Sequence, residues 1–325
     1  MSQVKTDILI VGGGPAGLAA GLYTARDRND TIILDKYMPG GQINLTEKVE
    51  NYPGVKEVAG FELGQILMQQ AQGFGADIKI GAEAQGIKKL DDGMIEVDTG
   101  DNTYVAKIVI LAPGSAYRHL GVPGEEKFTG TGVSYCGTCD APFFKDKHVI
   151  AVGGGNTALE DTMHLAKFAS KVTLCHRRNE FRATKIIVEE LIEEAKKGII
   201  DIRYDTVIET INGENAVQSA TLKNVKTNET EELPCDGVFV FVGMVPSTGF
   251  LKGSIDLDDH GFIKCDPAYL RTNMPGVFVA GDCRVGAAMQ LATAIGDGVA
   301  TAIFMKEYLR DPSWWQRDNF QSQGY

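Results

Sequence analysis

Asp7-Ile8-Leu9-Ile10-Val11-Gly12-Gly13-Gly14-Pro15-Ala16-Gly17 stands near the start of the chain, and its reading decides the fold. The apolar run ending at Val11 is that of a buried strand, Leu18 to Arg26 is helical in pattern, and Thr31 to Asp35 is a second apolar strand. Strand, glycine turn, helix and strand make a βαβ unit. Gly12, Gly14 and Gly17 fit G-x-G-x-x-G, with Pro15 and Ala16 between them. This pattern gives a tight turn, amides that meet a pyrophosphate at a helix N-terminus, and close packing of helix on strand. Asp35 ends the second strand, where it would accept hydrogen bonds from a ribose.

The unit recurs. His148 to Val152 reads as a strand, Gly153-Gly154-Gly155-Asn156-Thr157-Ala158 as the turn, Leu159 to Phe168 as a helix and Lys171 to His176 as the next strand. From Gly12 to Asp35 is 23 positions, as it is from Gly153 to His176. One such motif is a weak signal, but two with matched spacing predict two dinucleotide sites. They differ where the ribose would lie. Asp35 suits a free 2′-hydroxyl, as in FAD. His176-Arg177-Arg178, with Arg182 a helical turn further on, suits a 2′-phosphate and favours NADP over NAD.

Between the two units stands Cys136-Gly137-Thr138-Cys139-Asp140. The spacing fits a redox disulfide or half of a zinc site. Zinc needs about four ligands, and no second C-x-x-C or C-x-x-H exists, so redox chemistry is the better reading and no metal is expected. In such a pair one thiol ionises near neutral pH and attacks a disulfide. Asp140 is placed to carry the proton that this exchange releases.

The remaining composition narrows the class. The 325 residues suffice for two domains, and 43% hydrophobic with 23% charged residues excludes a disordered chain, a coiled coil or a collagen-like repeat. Lys plus Arg is 32 against 43 for Asp plus Glu, a balance of −11 that disfavours nonspecific binding to nucleic acid or an anionic membrane. No apolar run approaches the roughly 18 residues of a membrane span and no secretory leader precedes Asp7, so the expected location is the cytoplasm. The six cysteines in so long a chain are no disulfide scaffold.

Together these motifs closely resemble the low-molecular-weight, bacterial-type thioredoxin reductases, as far as about Leu309. The resemblance also takes in Gly40-Gly41-Gln42, Asn51-Tyr52-Pro53-Gly54, and Gly281-Asp282 followed by Gln290-Leu291-Ala292. It implies an α/β fold of two Rossmann-like, three-layer ββα domains, one inserted in the other. The FAD domain would be discontinuous, 1–117 and 246–325. The inserted NADPH domain, 118–245, would carry the cysteines. Cys139 would face the flavin, Cys136 would attack the disulfide of a thioredoxin-like protein, and Asp140 would be the acid-base residue. Asp282 would bind the ribityl chain, with Gly281 beside it. Gln290 and the Leu291 and Ala292 amides would hold the flavin end, and Gly41, Gln42 and Asn51 would line its pocket. Gly153, Gly155, Asn156, Thr157 and Ala158, with the basic cluster, would hold NADPH. A homodimer is implied.

Redox pair and NADP turn share the inserted segment, so serving one flavin in turn requires that segment to move. Ala112-Pro113-Gly114-Ser115 to Gly124, and Gly243-Met244-Val245-Pro246, supply hinge residues at the two crossings. Pro113 stands where the family commonly has threonine, and Gly137 where it often has alanine, the latter with little expected consequence. Competing readings are a relative using ferredoxin as donor, or oxygen or a small-molecule disulfide as acceptor, and a flavin-containing redox sensor without turnover. The tail from Arg310 to Tyr325, with both tryptophans, lies beyond the resemblance. Docking of Trp314-Trp315 on the body or a partner subunit is favoured over an aromatic gate at the cofactors.

Overall fold

The computed structural model describes residues 2–46 and 48–317. Along the chain lie β1 (Ser2–Val11), α1 (Pro15–Arg26), β2 (Thr31–Asp35), α2 (Gly60–Gly73), β3 (Asp77–Ile80), β4 (Gly86–Lys89), β5 (Ile95–Asp98), β6 (Asn102–Leu111) and β7 (Ser115–Tyr117). Next come β8 (Val133–Ser134), α3 (Gly137–Asp140), β9 (His148–Gly153), α4 (Asn156–Leu165), β10 (Lys171–Cys175), α5 (Lys185–Ala195), β11 (Ile200–Arg203), β12 (Thr206–Gly213), β13 (Val217–Asn224), β14 (Thr230–Pro234) and β15 (Gly237–Phe241). The chain returns through β16 (Met244–Pro246) to β17 (Val277–Val279) and α6 (Leu291–Arg310). It divides into two compact units, Met1–Ala116 with Val245–Tyr325, and Tyr117–Met244.

In the discontinuous unit β3, β2, β1 and β6 lie side by side and parallel, β17 adds in parallel to the C-terminal end of β6, and β5 and β4 run antiparallel beside its N-terminal half. The apolar run of β1 is unbroken because both faces of this sheet are covered. Ile8 and Ile10 point to the side packed by α1 and α6, with Ile108, Ile110 and Phe278. Leu9 and Val11 point to the other, where Ile87, Ile95 and Val97 of the antiparallel strands cover them. The continuous unit repeats the plan: a parallel sheet β11-β10-β9-β15-β8 and an antiparallel β12-β13-β14. Val149 and Ala151 face the α4 side, and Ile150 and Val152 face Ile208, Ala220 and Leu222. Both units are thus Rossmann-like α/β layers, and the period-2 alternation of each central strand divides one apolar run between two cores.

The tail docks within the discontinuous unit. Trp314 is 5% exposed, edge-on to Tyr269 at 5.2 Å, while Trp315 packs edge-on against Phe278 at 4.9 Å and Tyr308 at 5.1 Å. Buried Arg271 clamps the segment. Its guanidinium lies 5.0 Å over the Trp314 ring, donates to the Trp314 and Trp315 carbonyls at 3.0 and 3.1 Å, and pairs with Asp266. Docking therefore holds as far as Arg317, with the Trp314 ring buried in the core and the half-buried Trp315 ring packed against it. Residues 318–325 of the tail lie outside the described residues. Trp314→Ala removes a buried ring, a change that costs about 3–5 kcal/mol. The expected result is a melting temperature about 6–20 °C lower at this domain size. A calorimetric melt unchanged from wild type would contradict the docking.

Candidate active site

The first glycine turn joins β1 to α1. Gly12 has φ +106°, and a β-carbon there would lie 2.1 Å from the Ala112 carbonyl oxygen, so neither the conformation nor the space admits a side chain. Gly14, by contrast, faces open space: nothing lies within 4 Å of its β-carbon position. This is the room a phosphate needs beside a helix N-terminus that has no side-chain cap. Gly40 donates from its amide to the Gly13 carbonyl at 2.8 Å, which lays the Gly41–Leu45 turn over the glycines. Gln42 from that turn donates its side-chain amide to the Ser115 carbonyl, while Asn51 is exposed.

Asp35 is engaged within the fold. Its Oδ2 accepts the Gly13 amide at 2.6 Å and its Oδ1 the Tyr37 amide at 2.7 Å. Burial raises its carboxyl above the usual range against the pull of those two amides. Each oxygen keeps a second lone pair, so Asp35 still has capacity for a ribose hydroxyl.

Gly281-Asp282 follows β17 beside the same turn, with the β-carbon position of Gly281 3.0 Å from the Ala16 methyl. Asp282 Oδ1 is buried without a hydrogen-bond partner among the described residues. An orphaned buried carboxylate oxygen calls for a donor from outside the protein, and the ribityl hydroxyls of a flavin fit that need. Burial, with the neighbouring Asp297 charge, pushes Asp282 up to about 6. The sequence reading missed the support of this turn. Asp297 Oδ2 accepts the Gly281 amide at 3.0 Å and is held by Arg284 at 2.7 Å, in an ion pair largely withdrawn from water. Gln290 caps α6 with Thr293, and Leu291 and Ala292 form its first turn.

The second turn differs from expectation in two places. His176 is buried, its ring against Gly154, with Nδ1 2.9 Å from the Gly153 carbonyl and Nε2 2.8 Å from the Glu180 carbonyl. Each ring nitrogen thus faces a backbone carbonyl from inside the fold, so His176 braces the turn, where the spacing alone suggested a contact to a 2′-phosphate. Arg182 is not on a helix: α5 begins only at Lys185, and a loop carries residues 177–184. That loop is stitched back to the turn, with the Arg182 amide on the Gly154 carbonyl at 2.7 Å and the Thr184 amide on Asn156 Oδ1 at 2.8 Å. Arg177, Arg178 and Arg182 are exposed and make no ion pair among the described residues. Gly155 opens to space and caps α4 at Asn156, ahead of Thr157 and the buried Ala158.

Cys136 and Cys139 form a disulfide across the first turn of α3, and the Cys139 amide donates to Cys136 Sγ at 3.2 Å. The buried Ser134 hydroxyl links the two ends of the motif, a contact that sequence reasoning also missed. It donates to Asp140 Oδ2 at 2.6 Å and accepts the Cys136 amide at 3.1 Å. Burial raises the Asp140 carboxyl above its ordinary value, against the lowering effect of Ser134. A carboxyl so placed exchanges a proton nearer neutrality, which suits acid-base work beside two thiols. Among the described residues no three metal-ligating side chains gather, and no helix is long and apolar enough to cross a membrane.

Residues 6–298 match the model of the pyridine nucleotide-disulphide oxidoreductase family. The chain is 46% identical to a thioredoxin reductase of Peptoclostridium acidaminophilum, covering 93% of this chain and 96% of that protein. It is 42% identical to that of Treponema pallidum (strain Nichols), over 94% and 98%. The crystal structure of thioredoxin reductase from Streptococcus pyogenes MGAS5005 superposes with a TM-score of 0.89 at 39% identity, over 95% of this chain and 99% of that one. With its paired glycine turns, its cysteine disulfide and these relatives, the chain belongs to the pyridine nucleotide-disulphide oxidoreductases, among the thioredoxin reductases of the bacterial type.

Proposed function

We propose that the chain is an NADPH-dependent thioredoxin reductase that carries two electrons through FAD and the Cys136–Cys139 pair to the disulfide of a thioredoxin-like protein. Family membership implies a flavin and a pyridine nucleotide. The assignment to FAD rests on Asp35 and on the Asp282 oxygen without a partner among the described residues, and the assignment to NADPH on the exposed arginines at the second turn. In this reading unit Met1–Ala116 with Val245–Tyr325 is the FAD domain and Tyr117–Met244 the NADPH domain, working as a cytoplasmic homodimer. The observation that carries the proposal is the disulfide of Cys136 and Cys139 with Asp140 held beside it by Ser134.

The glycine turns, with Gly12, Gly14 and Gly17 on one side and Gly153 and Gly155 on the other, receive the pyrophosphates. When bound, the flavin supplies the relay between a two-electron hydride donor and a dithiol. Once the pair is reduced, the Cys136 thiolate attacks one sulfur of the partner's disulfide, forming a mixed disulfide and expelling one partner thiolate. Cys139 then attacks Cys136 Sγ, which re-forms the internal disulfide and releases the second partner thiolate. Asp140 takes the proton from the attacking thiol and returns it to a leaving one. Two electrons and two protons thus leave the chain for each partner disulfide opened.

Purified protein given NADPH and an oxidised thioredoxin is expected to turn over many times, with NADH and reduced ferredoxin much poorer donors. Reduction of one equivalent followed by arrest would instead mark a redox sensor.

A further inference from the structure

Gly137 follows Cys136 directly and is buried against α4. A β-carbon built there would lie 2.8 Å from Cγ, 2.9 Å from Cβ and 3.1 Å from Oδ2 of Asp161, and the Gly137 amide faces the Asp161 carboxylate. Contacts that short do not persist in a packed protein. Glycine at 137 is therefore what admits the carboxylate to the redox turn. The expectation that glycine in place of alanine matters little is corrected by this contact.

We propose that Asp161 is a positioning residue of the redox pair: its carboxylate takes the Gly137 amide, sets a negative charge one residue from Cys136, and so favours the disulfide over the Cys136 thiolate. This deepens the proposed function and rests on Cys136 and Cys139 being the redox pair. The physical argument is that of like charges. A carboxylate beside a second anion disfavours ionisation of that neighbour by about one unit or more. Among the described residues Glu160, next on α4, is the charged group whose field reaches Asp161, while α3 brings Asp140 and the two cysteines. Among the described residues Asp161 makes no ion pair with a charged group of α5, β9 or β10. Burial, reinforced by Glu160, pushes Asp161 up to about 6, against the opposing Gly137 amide. The charge is thus present above that pH and its influence on Cys136 disappears below it.

The test uses full-length protein reduced chemically and desalted, so that it depends on neither NADPH nor a partner. The rate at which iodoacetamide alkylates Cys136, identified by peptide mass, is followed from mild acid to mild base. D161N keeps the shape of the side chain and is expected to lower the apparent pKa of the Cys136 thiol by about one unit. It should also shift the equilibrium with glutathione up to about tenfold toward the dithiol at mildly basic pH. D161E should restore the wild-type profile. G137A, whose methyl displaces the carboxylate, should move the thiol the same way, and the D161N/G137A double variant no further than D161N. A D161N profile superimposed on wild type, with unchanged melting temperature, would overturn the proposal. Should D161N not fold, an unshifted profile in G137A overturns it equally. Failure of NADPH turnover in the wild type would count against the proposed function alone, because the thiol titration reads out either way.

Discussion

Serine at Cys136 or at Cys139 is expected to cut disulfide reduction by more than about a thousandfold, since a hydroxyl neither ionises near neutral pH nor forms a disulfide. Each single variant should cost about as much as the double, because neither sulfur completes the exchange alone. Flavin binding should survive in all three. Cys139 lies on α3 and Cys136 caps it, both in the continuous unit, whereas Gly12, Gly14, Asp35 and Asp282 belong to the discontinuous one. The two variants should still differ from each other. In Cys136→Ser the Cys139 thiolate is left unpaired and should give a long-wavelength charge-transfer absorbance against bound flavin, a band that Cys139→Ser should lack. Loss of flavin from Cys139→Ser would overturn the assignment of the pair to the inserted domain, and the absence of the band in Cys136→Ser would overturn the order of roles.

The joint replacement of Arg177 and Arg178 by alanine is expected to raise the Michaelis constant for NADPH by well over tenfold while leaving NADH nearly unchanged. Two charge-assisted contacts to a 2′-phosphate contribute about 1.5–3 kcal/mol each. Neither arginine has an internal ion pair to give up among the described residues, so the loss should fall on the ligand and not on the fold. His176 gives the contrasting result. Its buried ring, set between the Gly153 and Glu180 carbonyls, holds the turn itself, so His176→Ala should weaken NADPH and NADH together. Steady-state kinetics with both nucleotides check the pair of expectations. An unchanged NADPH constant in the double arginine variant would remove the 2′-phosphate assignment.

How far these sites could be read from the sequence follows from the range of the contacts involved. Both βαβ units were legible because each is local: a strand's apolar run, a glycine turn and a helix period lie within about 30 residues, and the turn's conformation excludes most other residue types. The C-x-x-C pair was legible for the same reason, since its two sulfurs meet within one helical turn. The inserted topology came through family resemblance, and the fold bears it out in β17 returning to pair with β6. Roles that depend on distant parts of the chain could not be read this way. His176 looked like a ligand because a histidine next to two arginines carries no sign of which way its ring turns. Tertiary packing turned it inward, onto the carbonyl of Gly153, 23 positions earlier.

Asp161, 24 positions from Gly137, likewise reads in sequence as a surface helix acid; only the packing of α4 on α3 brings it to the redox turn. Trp314 reads as an aromatic on a polar tail until Arg271, 43 positions away, supplies the donor and the cation that fix it. By itself, then, the sequence determined the two nucleotide turns, the thiol pair and the class of chemistry, because these are written in backbone conformation and short spacing. Tertiary structure alone decided which neighbours hold those groups in place, because burial, hydrogen-bond satisfaction and the field on a carboxyl arise only when remote segments meet.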